Sequence, residues 1–222
     1  MDAPMNLQQD NQQDNQVDTR NWQEQERWQQ CVRFHGHACP GLAIGFRQAL
    51  IAMEALKVKR DGDEELFAVI ETDACGADAV QWLTGCTIGK GNLIYRDRGK
   101  HALTLADRKS CQAVRVVTLP GESHRDRRSA ELRAKVMAGE ATPEERSEWS
   151  RLQQARMNDL LRMPVEALFR ITAVPMPPVQ KARLFNTVVC SRCGEPLAES
   201  RARLADGKPV CLDCHPDYSR GW

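Results

Sequence analysis

The chain has 222 residues, 41% of them apolar and 27% charged, enough for one medium-sized domain with or without a small module. Thirty-one Lys and Arg stand against thirty Asp and Glu, a formal charge of +1, which argues against a protein that coats nucleic acid or an anionic membrane. No apolar run approaches the ~18 residues of a transmembrane helix, and the Gln- and Asn-rich N-terminus lacks the marks of a signal peptide, so the chain reads as soluble and cytoplasmic.

Residues 1–20 hold almost no apolar side chains and read as a disordered arm. From 21 onward Trp22, Trp28, Val32 and Phe34 are spaced as on an amphipathic helix, and the two tryptophans read as only partly covered by a core of this size. A second helix follows Pro40, with Leu42, Phe46, Ala49, Leu50, Met53 and Leu56 at helical intervals. Gly41 and Gly45 in its first turns cost helix propensity and point to close approach of a ligand or another backbone. The run 66–71 (LFAVIE) predicts a buried strand, followed by a short helix over 77–83 and a Gly-rich loop over 85–92. Segments 93–97 and 102–105 read as a hairpin turning at Arg98, Gly99 and Lys100, and 113–119 as a further strand. Residues 123–163 are charged and helix-prone, with Thr142-Pro143-Glu144-Glu145 as a helix start. One more strand is expected in 168–174. The domains that follow are a core over 21–174, a Pro-rich linker over 175–187 and a separate module over 188–222.

Nine cysteines is a high count for a chain with no export signal, so metal ligation, reactive thiols or burial come before disulfides. Cys190-x-x-Cys193 is followed after seventeen residues by Cys211-x-x-Cys214, the spacing of a four-thiolate zinc ribbon. Gly194 supplies the permissive backbone of such a turn, and Asp206-Gly207 marks a hairpin between the two pairs. A module this small cannot fold on buried surface alone, so zinc supplies the missing free energy. Its five basic residues are matched by five acidic ones, which removes the main term for nucleic-acid binding.

The core carries three further clusters. Residues 34–41 (FHGHACPG) place His35, His37 and Cys39 within five positions, with Cys39 at a helix cap that favours a thiolate. Residues 71–78 (ETDACGAD) place Cys75 and Asp78 where a buried strand gives way to a helix. Residues 85–92 (GCTIGKGN) set Cys86 and Lys90 among glycines; the loop fails the phosphate-loop pattern, and Lys90 either meets an anionic ligand or sits on a plain surface loop. Together these are expected to form one pocket in which His35, His37, Cys39 and Cys75 bind a metal or an anionic cofactor. Asp78 accepts a ring N–H from a ligating histidine, and Lys90 approaches from the far side. Cys39, Cys75, His37 and Asp78 are the catalytic candidates, and an open metal position is expected because a separate module already carries a structural zinc. Cys31 and Cys111 read as buried small hydrophobes.

The segments FHGHACPGLAIGFR and ETDACGADAVQWLTGCTIGKGNLIYRDRGKHALT resemble the core of the FmdE family, which takes its name from formylmethanofuran dehydrogenase, and VVCSRCGEPL with VCLDC resembles the zinc-finger tail of its longer members. The resemblance covers roughly residues 28–120. It implies an α+β core, thioredoxin-like with a mixed sheet flanked by helices, together with a zinc ribbon and a homodimer. The family's signature positions fall on His35, His37, Cys39, Cys75, Asp78, Cys86 and Lys90. For function it implies a metal-binding accessory protein linked to molybdenum or tungsten redox enzymes, without itself assigning a reaction. Two alternatives stay open: a thiol-based oxidoreductase using the core cysteines, and a zinc-finger module for regulation or protein contact.

Overall fold

A computed structural model describes residues 26–120, 127–178 and 183–215. The expected N-terminal arm and Trp22 lie outside the described residues. The chain divides into two compact units, 1–179 and 180–222.

In the first unit, α1 (Glu26–His35) buries Trp28 and Cys31, and Trp28 meets Phe46 edge to face at 5.1 Å. Trp28 is therefore covered within its own chain, contrary to its sequence reading as a partly uncovered residue. Helix α2 (Pro40–Leu56) begins where the Cys39 sulfur accepts the Leu42 N–H and Pro40 takes a position that needs no donor. It is buried on nearly all sides between Leu42 and Ala52 and forms the spine of the unit. Even Arg47 is fully buried. Its Nη1 donates to the Leu160 carbonyl at 2.7 Å and its guanidinium lies over Phe169, while burial draws its pKa down to about 10.

Strand β1 (Leu66–Ile70), α3 (Gly76–Thr84), β2 (Leu93–Tyr95), β3 (Ala102–Asp107) and β4 (Gln112–Thr118) follow. The sheet is completed by β5 (Phe169–Val174), and its order is β2-β1-β3-β4-β5. Here the structure corrects the hairpin expected between 93–97 and 102–105. Strand β1 lies between β2 and β3, parallel to the first and antiparallel to the second. The reason is burial: all five residues of β1 are buried, which calls for a neighbour on each edge and cover on each face. Leu66, Ala68, Ile70, Leu103, Leu105, Val114 and Val116 face the helices, whereas Phe67, Val69, Ala106 and Ala113 form a smaller cluster on the other face with Val174 and Met176. The result is a mixed α+β unit with a central sheet and helices packed on it.

Between β4 and β5 run α4 (Arg127–Ala138), α5 (Pro143–Arg162) and the short α6 (Val165–Leu168). Thr142 and Glu145 form the reciprocal cap that starts α5. Ion pairs Arg128–Glu148 and Lys135–Glu145 align α4 with the first turns of α5. Cys111, read as buried, is exposed in the β3–β4 turn with φ +56°.

The decisive contact for the site is between α2 and α3. Gly41 and Gly45, four apart on one face of α2, lie against Gly76. A Cβ at Gly45 would fall 2.3 Å from the Gly76 Cα and carbonyl oxygen, a distance no side chain tolerates. Gly45→Ala is expected to destabilise the fold by about 2–3 kcal/mol through forced separation of the two helices, read as a lower urea midpoint. Gly62→Ala, where a Cβ meets nothing, serves as the control that leaves the midpoint in place.

Candidate metal centre

The end of α1 and the start of α2 deliver three donors, and the start of α3 delivers the fourth. His35 closes α1, Gly36 turns the chain at φ +96°, and Cys39 caps α2. Cys75 precedes α3, which the glycine contact presses against α2. One ligand atom from each of His35, His37, Cys39 and Cys75 lies within 4.8 Å of every other. In a tetrahedral zinc site, bonds of about 2.0–2.3 Å place neighbouring donors roughly 3.3–3.8 Å apart, so small side-chain movements complete a coordination shell.

His35 shows how the site is prepared. Its Nδ1 meets Asp78 Oδ2 at 2.7 Å, as expected for Asp78, while its Nε2 is buried without a hydrogen-bond partner. Clamping one ring nitrogen on a carboxylate leaves the other with its lone pair free, the state a metal requires. The His35 and His37 rings lie 4.5 Å apart, and His37 is the exposed member of the set. Two nitrogens and two sulfurs suit zinc and several other transition metals. Four donors gathered at one point exceed the two or three of the expected open site.

The two thiols differ. The Cys39 sulfur takes the Leu42 amide at 3.3 Å, whereas Cys75 makes no side-chain cap bond. Burial and the neighbouring Cys39 raise the Cys75 thiol pKa, so the helix end expected to stabilise its thiolate is outweighed; metal binding would remove the proton instead. Behind them Cys31 is inert, its pKa pushed up to about 12 by burial and Asp78.

Two of the expected residues are placed elsewhere. Cys86 and Lys90 follow the C-terminal end of α3, while Cys75 precedes its start, about 13 Å away along nine residues. Cys86 is fully buried, with its pKa raised to about 11 by burial. Lys90 Nζ donates to Asp61 Oδ2 at 2.6 Å and to the Asp63 carbonyl, and Asn92 Nδ2 bonds the same Asp61 oxygen at 2.8 Å. The loop's lysine thus secures the turn before β1 and does not face the four gathered donors. Asp61 and Asn92, which organise that loop, escape a sequence reading because their contacts span 29 to 31 residues. Burial would raise the Asp61 carboxyl, but hydrogen bonds from Lys90 and the Leu66 amide outweigh it and hold the pKa below the usual range.

In the second unit, β6 (Thr187–Val189) and β7 (Pro196–Ala198) form one hairpin, and β8 (Arg203–Ala205) and β9 (Lys208–Val210) the other. The second turns at Asp206 and Gly207, both at positive φ, as its sequence requires. The Cys190-x-x-Cys193 turn joins β6 to β7, the Cys211-x-x-Cys214 turn follows β9, and the sulfurs of the four cysteines lie within 4.8 Å of one another. The Cys193 and Cys211 amides draw the Cys190 thiol down to about 6; the Cys211 thiol pushes Cys214 up to about 12.

Residues 34–170 match the family described as FmdE, molybdenum formylmethanofuran dehydrogenase operon. The chain belongs to the FmdE family. Residues 183–220 match the prokaryotic dksA/traR C4-type zinc finger, so this FmdE chain carries a zinc-finger tail. It is similar to a probable S-adenosyl-L-methionine-binding protein of Archaeoglobus fulgidus, 36% identical over 192 residues; the match takes in 83% of this chain and 51% of that protein. The chain thus spans about half the length of that relative. A shorter likeness, 37% over 82 residues, is to the ATP synthase alpha subunit of Desulfovibrio desulfuricans and covers 36% of this chain and 16% of that one. Among solved structures, a tungsten formylmethanofuran dehydrogenase FmdE-like protein from Syntrophus aciditrophicus has 25% identity and a TM-score of 0.54, covering 84% of this chain and 88% of its own.

Asp78→Ala frees the His35 ring and should weaken metal binding in the core about 10–100-fold while zinc in the tail is retained, as competition with a chromophoric chelator would show. Lys90→Met should leave core metal content unchanged but cost about 3 kcal/mol by stranding the buried Asp61 carboxylate. Because the folded Asp61 pKa is depressed, its stabilisation is present above the unfolded value and is lost as pH falls through the folded one. Urea midpoints of wild type and Lys90→Met, apart at neutral pH, should therefore converge in acid.

Proposed function

We propose that the protein is a metal-binding accessory protein that holds one ion at His35, His37, Cys39 and Cys75 and a structural zinc at Cys190, Cys193, Cys211 and Cys214. The observation that carries the core site is the buried, unpartnered Nε2 of His35 among three other donors, with the opposite ring nitrogen held by Asp78. An ion there would act as a Lewis acid only toward a group that displaced one of the four donors, the exposed His37 being the accessible one. The chain's own contribution is to orient His35 through Asp78 and to fix the spacing of Cys39 and Cys75 through the glycine contact. His37 supplies the donor on the solvent side.

Service to a molybdenum or tungsten redox enzyme, in the cytoplasm and as a homodimer, belongs to the same proposal. The link to such an enzyme is supported by the family's name and by the name of the tungsten formylmethanofuran dehydrogenase FmdE-like relative. Among the described residues, no helix is long and apolar enough to cross a membrane.

A second reading, a thiol oxidoreductase on a thioredoxin-like outline, draws on the proximity of the Cys39 and Cys75 sulfurs. It is disfavoured by the raised Cys75 pKa, since the thiolate is the reactive form. Elemental analysis of the full chain separates the two. The metal reading expects two ions per chain, with one lost in His37→Ala/Cys39→Ser and the other lost in Cys193→Ser. A core double variant that retains both ions would overturn it.

A further inference from the structure

A cleft of about 760 Å³ lies between the α4–α5 hairpin and the first turn of α2. One end is formed by Pro40 and Gly41, immediately after Cys39. At Gly41 a Cβ would stand 3.8 Å from the Cys75 sulfur and 4.0 Å from the Cys39 sulfur, so this residue separates the cleft from the two thiols, which do not themselves line it. Arg156 and Asp159 of α5 also line the cleft. Apolar walls are supplied by Ile44, Leu152 and Trp149, and Arg133 lines it from α4. The Arg128–Glu148 and Lys135–Glu145 pairs set Arg133 level with residues 145–148. Arg133 and Arg156 are then separated by roughly 12–16 Å along the α5 axis, at 1.5 Å per residue.

Neither arginine has a hydrogen-bond or ion-pair partner among the described residues. Against them the cleft holds the single carboxylate of Asp159, which leaves one positive charge in excess. That surplus matches a carboxylate better than a doubly charged phosphate, and the guanidinium fork fits a carboxylate with two parallel bonds. A polar group at each end of an apolar wall selects a long molecule with the same distribution.

We propose that the cleft binds an elongated monocarboxylate. Its carboxylate pairs with Arg133, its apolar body lies on Trp149, Leu152 and Ile44, and its polar far end reaches Arg156 and Asp159 beside Gly41. The proposal rests on the metal reading only for what that far end lies beside; the cleft itself needs no ion. The charge at the remote end anchors a molecule whose other end is held on the side of Gly41 away from the thiols, close to the centre without lining it.

The test is isothermal titration of the full chain with ω-hydroxydecanoate at low ionic strength, with decanol as the probe lacking the charge. Saturable binding of the acid is expected. Arg133→Gln should weaken it about 10–100-fold, the worth of hydrogen bonds to a charged group, with metal content unchanged. In protein loaded with cobalt(II), the ligand protons beside the hydroxyl should broaden before those beside the carboxylate, which a merely structural role for Arg133 would not produce. Absence of saturable binding overturns the proposal, as does equal affinity for decanol and the acid or for wild type and Arg133→Gln; a cleft covered by a second copy of the chain would give the first result. A core without metal would instead overturn the reading of the centre, and the titration, which requires no ion, would still decide the cleft.

Discussion

The approach of two backbones at Gly45 and Gly76 is the constraint on which the core arrangement depends. Helices ordinarily pack 8–10 Å apart because side chains keep them there. Here the side chains are missing at the point of contact, and α3 can lie directly against α2. Cys75 precedes Gly76 in the chain, and Cys39 stands at the start of the helix that carries Gly45, so the close approach brings two helix starts to one place. Four donors from two distant stretches of sequence become neighbours without a loop having to fold over them. The same contact explains why two glycines sit in the first turns of a helix that would form more readily with alanine.

Around this contact the remaining interactions have supporting roles. Arg47 ties the middle of α2 to the end of α5 through Leu160, and burial of so large a charged side chain is tolerated because a carbonyl and the Phe169 ring receive it. Asp61, Lys90 and Asn92 hold the turn that introduces β1 and so fix where that central strand begins. The centre and its supports are thus built from opposite ends of α3. A charged residue in a glycine-rich loop is a binding residue in one setting and a structural tie in another, and here the buried carboxylate that lies within reach decides between them.

Much of this was legible in the sequence wherever the signal is local. Pro40 after Cys39, the Thr142–Glu145 cap, the paired Cys-x-x-Cys turns and the Asp206-Gly207 hairpin each depend on residues a few positions apart, and the structure has them as read. The convergence of His35, His37 and Cys39 with Cys75 was also readable, since both segments meet a helix start, and Asp78 one turn further on faces back toward His35. Long-range pairing was not. Nothing near 93–105 in the sequence announces that β1 separates its two strands, and nothing near Lys90 announces Asp61. Cys111 misled because a small thiol looks buried by type, whereas the β3–β4 turn that holds it faces solvent.

The α4–α5 hairpin has a consequence for behaviour under salt. Helix α4 buries only Leu132 among its described side chains, and the pairs that align it, Arg128–Glu148 and Lys135–Glu145, are partly exposed. Such pairs contribute at most about 1 kcal/mol each and weaken as the screening length shrinks toward ~3 Å in molar salt. The rest of the unit is held by burial and by the Lys90–Asp61 and Arg115–Glu71 pairs, whose buried carboxylates are screened much less. Rising ionic strength therefore loosens the hold of α4 on α5, one wall of the cleft, while leaving His35, His37, Cys39 and Cys75 in place.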